Sequence, residues 1–124
     1  MNVSTNGFET RRPFGPAGIV RTVSPAAPWS VVEVRPGEFE VNGEIDAHSA
    51  PSLAEQLEPL SGETLVLDLA GVTFMDSSGL RVVVNLHQSG QSGGPELVIQ
   101  NPSKPVVRLF EIAGLSELLA IRQS

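Results

Sequence analysis

The sequence contains no cysteine. That absence excludes disulfides, thiolate metal sites and a cysteine nucleophile. Aromatic residues make up only 5%, so a core has to be built from Val, Leu, Ile and Ala. Long hydrophobic runs are missing as well. Runs such as Leu65 to Leu67, Val82 to Val84 and Leu118 to Ile121 are far too short to span a bilayer. The N-terminus lacks the unbroken apolar stretch of a secretory signal, so a cytoplasmic location is expected. Basic residues are scarce, 8 against 14 acidic, for a formal net charge of -6. This argues against nucleic acid or an anionic membrane as the main partner, since both need Lys and Arg to neutralise phosphates. It suits a basic protein partner, and it equally suits a plain solvated surface. His48 and His87 are the only histidines, which leaves no metal-ligand spacing, and no metal or cofactor is expected. Gly90 to Gly94 lacks the Lys and the Ser or Thr of a phosphate-binding loop.

What is present fits one domain: 124 residues, of which 40% are hydrophobic. Residues 1–29 read differently from the rest. Pro13, Pro16, Pro25 and Pro28, with Gly7, Gly15 and Gly18, leave few bulky apolar groups. This stretch is expected to be a flexible extension with a short strand at Gly18 to Val23. The domain proper is expected over residues 30–124.

From Ser30 the pattern sharpens. Ser30 to Arg35 has strand composition, Pro36-Gly37 signals a turn, and Glu38 to Val41 alternates with period two, which together predict an antiparallel hairpin. Asn42 to Ala47 reads as a loop into a helix that Ser49, Pro51 and Ser52 start and that carries Leu53, Leu57 and Leu60; Ser61-Gly62 ends it. Thr64 to Leu69 is a buried strand, and Gly71 to Asp76 the loop after it. A second helix follows, capped by Ser77 or Ser78, with Leu80, Val83, Val84 and His87 on one stripe. Ser89 to Pro95 breaks the chain, Glu96 to Gln100 is a further strand, and a third helix runs through Val106, Val107, Leu109, Phe110 and Ile112 to Gly114. A short element, Leu115 to Ile121, packs on the edge. Alternating helices and strands imply an α/β fold, with a mixed sheet of about four to five strands and three to four helices joined by right-handed crossovers.

Chemistry concentrates between Leu67 and Val84. A strand delivers Asp76-Ser77-Ser78-Gly79 to the mouth of a helix. Free amides and the positive end of the helix dipole favour a phosphate there. A serine hydroxyl at that point serves as a cap or as a phosphate acceptor, and on spacing alone the commoner case is that Asp76 and one serine merely cap the helix. Asp68, at a strand end, is expected to tie down the following loop by hydrogen bonds. His87 reads as a helix-surface or core-edge residue and His48 as part of a helix entrance.

These residues resemble the signature of the STAS domain family. Asp68, Gly71, Phe74, Asp76, Ser77, Ser78, Gly79 and Leu80 fit its apolar strand, Gly-containing loop and Asp-Ser-Ser-Gly-Leu. Gly43-Glu44-Ile45-Asp46-Ala47, with Ala50, Pro51 and Leu53, resembles its loop before the first helix, and Val106 to Phe110 with Gly114-Leu115 its last long helix. The resemblance covers about Ser30 to Ile121. It implies a single STAS domain that acts as a switch and not as an enzyme: an anti-sigma factor antagonist. The second serine of the motif, Ser78, would be the phosphorylation site, with Ser77 as the alternative. The implied partners are an anti-sigma factor that is an ATP-dependent serine protein kinase, and a serine phosphatase that resets the switch. The unphosphorylated form would bind the kinase and free sigma factor. Glu44, Asp46, Asp76, Ser77, Ser78, Gly79 and Arg81 would form the partner surface, as a monomer or weak dimer. Arg81 departs from the small residue some members carry there.

Three other readings stand beside this one. A STAS subunit of a stress-signalling assembly or of a transporter complex would have no sigma-factor partner. A hydrolase using Ser78 with His87 is disfavoured, because that separation places them about 13 Å apart along a helix axis, beyond reach of each other. A plain scaffold, whose serines only cap, is the third.

Overall fold

The computed structural model describes residues 19–20, 28–57 and 63–123. Most of the expected N-terminal extension therefore lies outside the described residues, as do Leu60 and the helix stop expected at Ser61-Gly62. The elements are β1 (Ile19–Val20), β2 (Trp29–Arg35), β3 (Glu38–Ile45), α1 (Ala50–Leu57), β4 (Thr64–Met75), α2 (Ser77–Gln91), β5 (Glu96–Gln100), α3 (Lys104–Ile112) and β6 (Ala120–Arg122).

The strands form one mixed sheet in the order β1-β2-β3-β4-β5-β6. Four long strands make its body, and the short β1 and β6 are its edges. β1, β2 and β3 pair antiparallel, and β3 through β6 run parallel. The hairpin turns at Pro36-Gly37, where the sequence places it. Alternation decides the buried face: Val31, Phe39, Val41, Leu65, Leu67, Leu69, Leu97 and Ile99 point into a core cluster that also holds Leu53, Leu57, Val83, Val106 and Phe110 from the helices. All three helices therefore cover the same face. Phe39, Phe110, Ile45, Leu67 and Ile99 are among the largest fully buried side chains, each stabilising the fold by about 1.5–3 kcal/mol relative to exposure.

Two stretches expected to be loops are strand. β3 continues through Asn42, Gly43, Glu44 and Ile45, and β4 continues through Gly71 to Met75. The two extensions pair with each other: Asn42 with Gly71, Gly43 with Val72, Glu44 with Phe74 and Ile45 with Met75. The pairing is irregular, with register shifts between Glu40 and Asn42 and between Gly43 and Glu44. These irregularities break the period-two signal, so Val72 and Met75 are buried with Thr73 and Phe74 exposed between them. Gly43 is required at the irregularity. Its φ is +92°, and a Cβ there would overlap the Pro28 carbonyl oxygen.

The buried stripe of α2 also differs from expectation. Val83 is buried and Leu80 packs at the margin as expected, but Gly79, Val82 and Leu86 complete the stripe in place of Val84 and His87. The helix is rotated so that Gly79 meets the sheet; a Cβ there would lie 2.7 Å from Met75 Cγ and 2.8 Å from Ile45 Cγ2. α3 begins at Ser103, whose hydroxyl donates to the Val72 carbonyl oxygen at 2.6 Å, and gives way to a turn at Ala113-Gly114. Asp68 accepts from the Ala70 amide and from the side-chain amides of Gln100 and Asn101, so it ties β4 to the end of β5 and not, as expected, the segment Gly71 to Met75 that follows, which is strand.

Gly43→Ala is expected to destabilise the protein by about 2 kcal/mol or more, because it adds both a clash with backbone and a disfavoured φ. Urea unfolding measures this. A loss below about 0.5 kcal/mol would show that β3 does not hold this conformation in solution.

Candidate functional site

The irregular parallel pairing brings two loop entrances to one end of the sheet. The chain leaves β3 at Ile45 into Asp46, and leaves β4 at Met75 into Asp76. The Asp76 amide donates to the Ile45 carbonyl oxygen at 3.2 Å, joining the two exits directly. Each aspartate then organises the backbone behind it.

Asp76 is the N-cap of α2. Its Oδ1 accepts from the Ser78 amide at 2.8 Å and from the Gly79 amide at 3.4 Å. Of the expected caps, Asp76 and a serine, Asp76 is the one that caps, because it stands in extended conformation just before the first helical residue. The amides expected to receive a phosphate are already taken by a carboxylate. Ser77 and Ser78 are the first two helical residues, Ser77 exposed and Ser78 half-buried.

Asp46 repeats the arrangement at the entrance to α1. Its Oδ1 accepts from the amides of His48 at 2.9 Å and Ser49 at 3.1 Å. These two backbone amides hold its carboxyl below the ordinary aspartate value of 3.8. Ser49 is buried. Its hydroxyl accepts from the Asp46 amide at 3.0 Å and donates to the Glu44 carbonyl oxygen at 2.9 Å. It therefore clasps the loop that precedes the helix, where the sequence reads it as a helix-starting residue. The role of Ser49 was not legible in sequence, since a serine beside a helix start looks the same whichever way its hydroxyl turns.

The structure thus brings Glu44, Asp46, Asp76, Ser77, Ser78 and Gly79 to one sheet end. Gly79 sits beneath them, where its lack of a side chain lets α2 approach Ile45. Arg81 is exposed on the first turns of α2. Glu44, Asp46 and Asp76 make this end of the sheet acidic. Among the described residues none of the three forms an ion pair with a cation. His87 lies farther along α2, half-buried, with its Nε2 enclosed and without a hydrogen-bond partner. The described residues contain no cluster of His, Cys, Asp or Glu able to hold a metal ion, and no helix among them is long and apolar enough to cross a membrane.

Asp76→Ala is expected to cost about 1 kcal/mol through loss of the cap and to fray the first turn of α2, read by hydrogen exchange at Ser78 and Gly79. Unchanged protection at both amides would contradict the capping role. Asp46 yields a pH prediction. Its folded pKa lies below its unfolded one, so its contribution is present above the unfolded value and is lost as pH falls through the lower folded value. A carboxyl titration of Asp46 by NMR should show a midpoint below 3.8, with the His48 and Ser49 amide signals moving in step. A midpoint at or above that value would exclude the two-amide clasp.

Comparison with known proteins agrees with this geometry. A family model for the STAS domain matches residues 30–124. The chain is 39% identical to the anti-sigma-B factor antagonist of Bacillus subtilis over 94 residues, 73% of this chain and 86% of that one. It is 44% identical to the anti-sigma-B factor antagonist of Listeria monocytogenes over 85 residues, 66% of this chain and 75% of that one. Its fold is similar to that of the anti-sigma factor antagonist SpoIIAA in its unphosphorylated form, with a TM-score of 0.61 at 19% identity, covering 77% of this chain and 87% of that one. It is also similar to an anti-sigma factor antagonist-like protein of Thermotoga maritima, with a TM-score of 0.62 at 21% identity, covering 71% and 80%. With a mixed sheet, three helices on one face and a family match across nearly all of the described residues, the chain belongs to the STAS domain family.

Proposed function

We propose that this protein is an anti-sigma factor antagonist switched by phosphorylation of Ser78. Unphosphorylated, it binds an anti-sigma factor that is also an ATP-dependent serine kinase, and sigma factor is freed. Phosphorylated, it releases that partner until a serine phosphatase removes the phosphate. The observation that carries this reading is the position of Ser78: half-buried in the first turn of α2, held by the Asp76 cap at the joint of the two strand exits. The names of the relatives from Bacillus subtilis and Listeria monocytogenes support the antagonist role.

The physics of release follows from the site. A phosphate adds about 1.5 to 2 negative charges at neutral pH. Asp76 occupies the Ser78 and Gly79 amides, so those donors do not neutralise the new charge unless the carboxylate gives way. The charge is therefore added, without neutralisation, to a sheet end that already carries Glu44, Asp46 and Asp76. A partner acid about 6 Å away then costs roughly 3 kcal/mol per unit charge at an effective dielectric near 20. That is about a hundredfold in affinity. No large motion is needed.

The test is to incubate the protein with the anti-sigma factor kinase of its own organism and ATP, then locate the modification by mass spectrometry. One phosphate on Ser78, absent in Ser78→Ala and accompanied by loss of binding, is the expected result. Labelling of Ser77 alone would move the switch by one residue. Firm binding to some other assembly with no phosphate would reassign the chain to a stress-signalling or transporter complex. Ser78→Asp is expected to weaken binding about tenfold, less than phosphate because it carries less charge; affinity equal to the wild type would exclude repulsion as the release mechanism.

A further inference from the structure

Beside the serine site lies a surface with the opposite electrostatic character. Phe74, at the end of β4, and Pro105, Leu109 and Ile112 of α3 line a groove of about 460 Å3, bordered by Lys104 and Arg108. Trp29, Phe39 and Phe110 are buried, whereas Phe74 is 47% exposed and Ile112 78% exposed. Leaving such side chains in water forgoes part of the gain of burying them. Two of them flanking one groove form a patch, not scattered singletons.

The cations add a second observation. Lys104 and Arg108 stand one helical turn apart on α3, where like charges repel by a few tenths of a kcal/mol. Among the described residues no carboxylate lies within ion-pair distance of either, Glu111 included. In a chain of net charge -6, this is a local reversal of sign. It directly adjoins the carboxylate-rich end, because Phe74 is two residues before Asp76. From Lys104 to Ile112 α3 rises about 12 Å, the span of about four extended residues or two turns of a helix.

Building on the antagonist reading, we infer that the anti-sigma factor seats an acidic segment with one or two bulky apolar side chains in the groove between Phe74 and α3, its carboxylates pairing with Lys104 and Arg108. This chain's contact surface is therefore two-signed: anionic at Glu44, Asp46 and Asp76, cationic and apolar at the groove. The serine end carries the phosphate-sensitive contact. The groove carries apolar anchoring of the kind that dominates interface energetics, and its charges set register.

The experiment measures binding of the unphosphorylated full chain to the purified anti-sigma factor of its own organism by calorimetry at low and high salt. The variants are Ile112→Asp and the double Lys104→Glu, Arg108→Glu, all at exposed positions, with thermal melting as the check on folding. A loss of about tenfold or more in each is expected, with a flatter salt dependence in the double variant. Ile112→Leu should bind as the wild type does. A photo-crosslinking phenylalanine analogue at position 74 is expected to capture a partner peptide rich in Asp or Glu. Groove variants within twofold of the wild type, or capture of a basic peptide, would overturn the groove assignment and leave the antagonist reading standing. Wild-type protein that fails to bind the anti-sigma factor would overturn both. Self-association of the protein alone, abolished by Ile112→Asp, would assign the groove to a second copy of this chain and overturn the inference.

Discussion

Parallel pairing of β3 with β4 is the constraint on which the rest of this structure depends. Parallel strands cannot be joined by a tight turn, so the chain between them crosses over through α1 and buries its apolar side on the sheet. The pairing extends past the regular ladder to Ile45 and Met75, which brings the two strand exits level. The hydrogen bond from the Asp76 amide to the Ile45 carbonyl oxygen is the last rung of that contact. Without it, Asp46 and Asp76 would belong to separate loops. With it, their carboxylates and both serines share one surface.

The two aspartates do the same physical work. Each holds a carboxylate against two backbone amides at a helix entrance, where the helix dipole favours negative charge. This makes the end of the sheet rigid and anionic at once. It also means that the amides most suited to a phosphate are already satisfied. On the proposed function, a phosphate on Ser78 would therefore change the field of this end of the sheet without first rebuilding it. A helix terminus that wrapped and neutralised the phosphate would instead hide the signal from a partner.

The surface beyond Phe74 sits a short distance along the same edge but has the reverse charge. Glycine sets how closely these parts can approach: Gly79 lets α2 lie against Ile45 and Met75. A side chain there would push the serines away from the β3 exit and open the joint between the two entrances. Two-signed surfaces of this kind favour specificity over raw affinity, since a wrong partner meets like charge somewhere along the contact.

Much of this was legible in the sequence. The hairpin around Pro36-Gly37, the buried run Thr64 to Leu69, the strand Glu96 to Gln100 and the helix through Val106 and Phe110 follow from hydrophobic period and turn chemistry, which act within a few residues. The Asp-Ser-Ser-Gly segment stood out through its resemblance to the STAS signature, since on spacing alone it reads as a helix cap. What the sequence could not express was long-range. Gly71 to Met75 looked like a loop, because a strand with irregular pairing loses its alternation. The apolar stripe of α2 was read one residue off, because only the sheet beneath it selects Gly79 as the contact. The choice of Asp76 over a serine as cap, the inward turn of the Ser49 hydroxyl and the meeting of Phe74 with Lys104 and Arg108 all depend on which segments the crossovers bring together. Local chemistry determined the elements and the motif. Tertiary structure decided which surfaces those residues share, because pairing register and helix rotation are set by contacts between segments far apart in the chain.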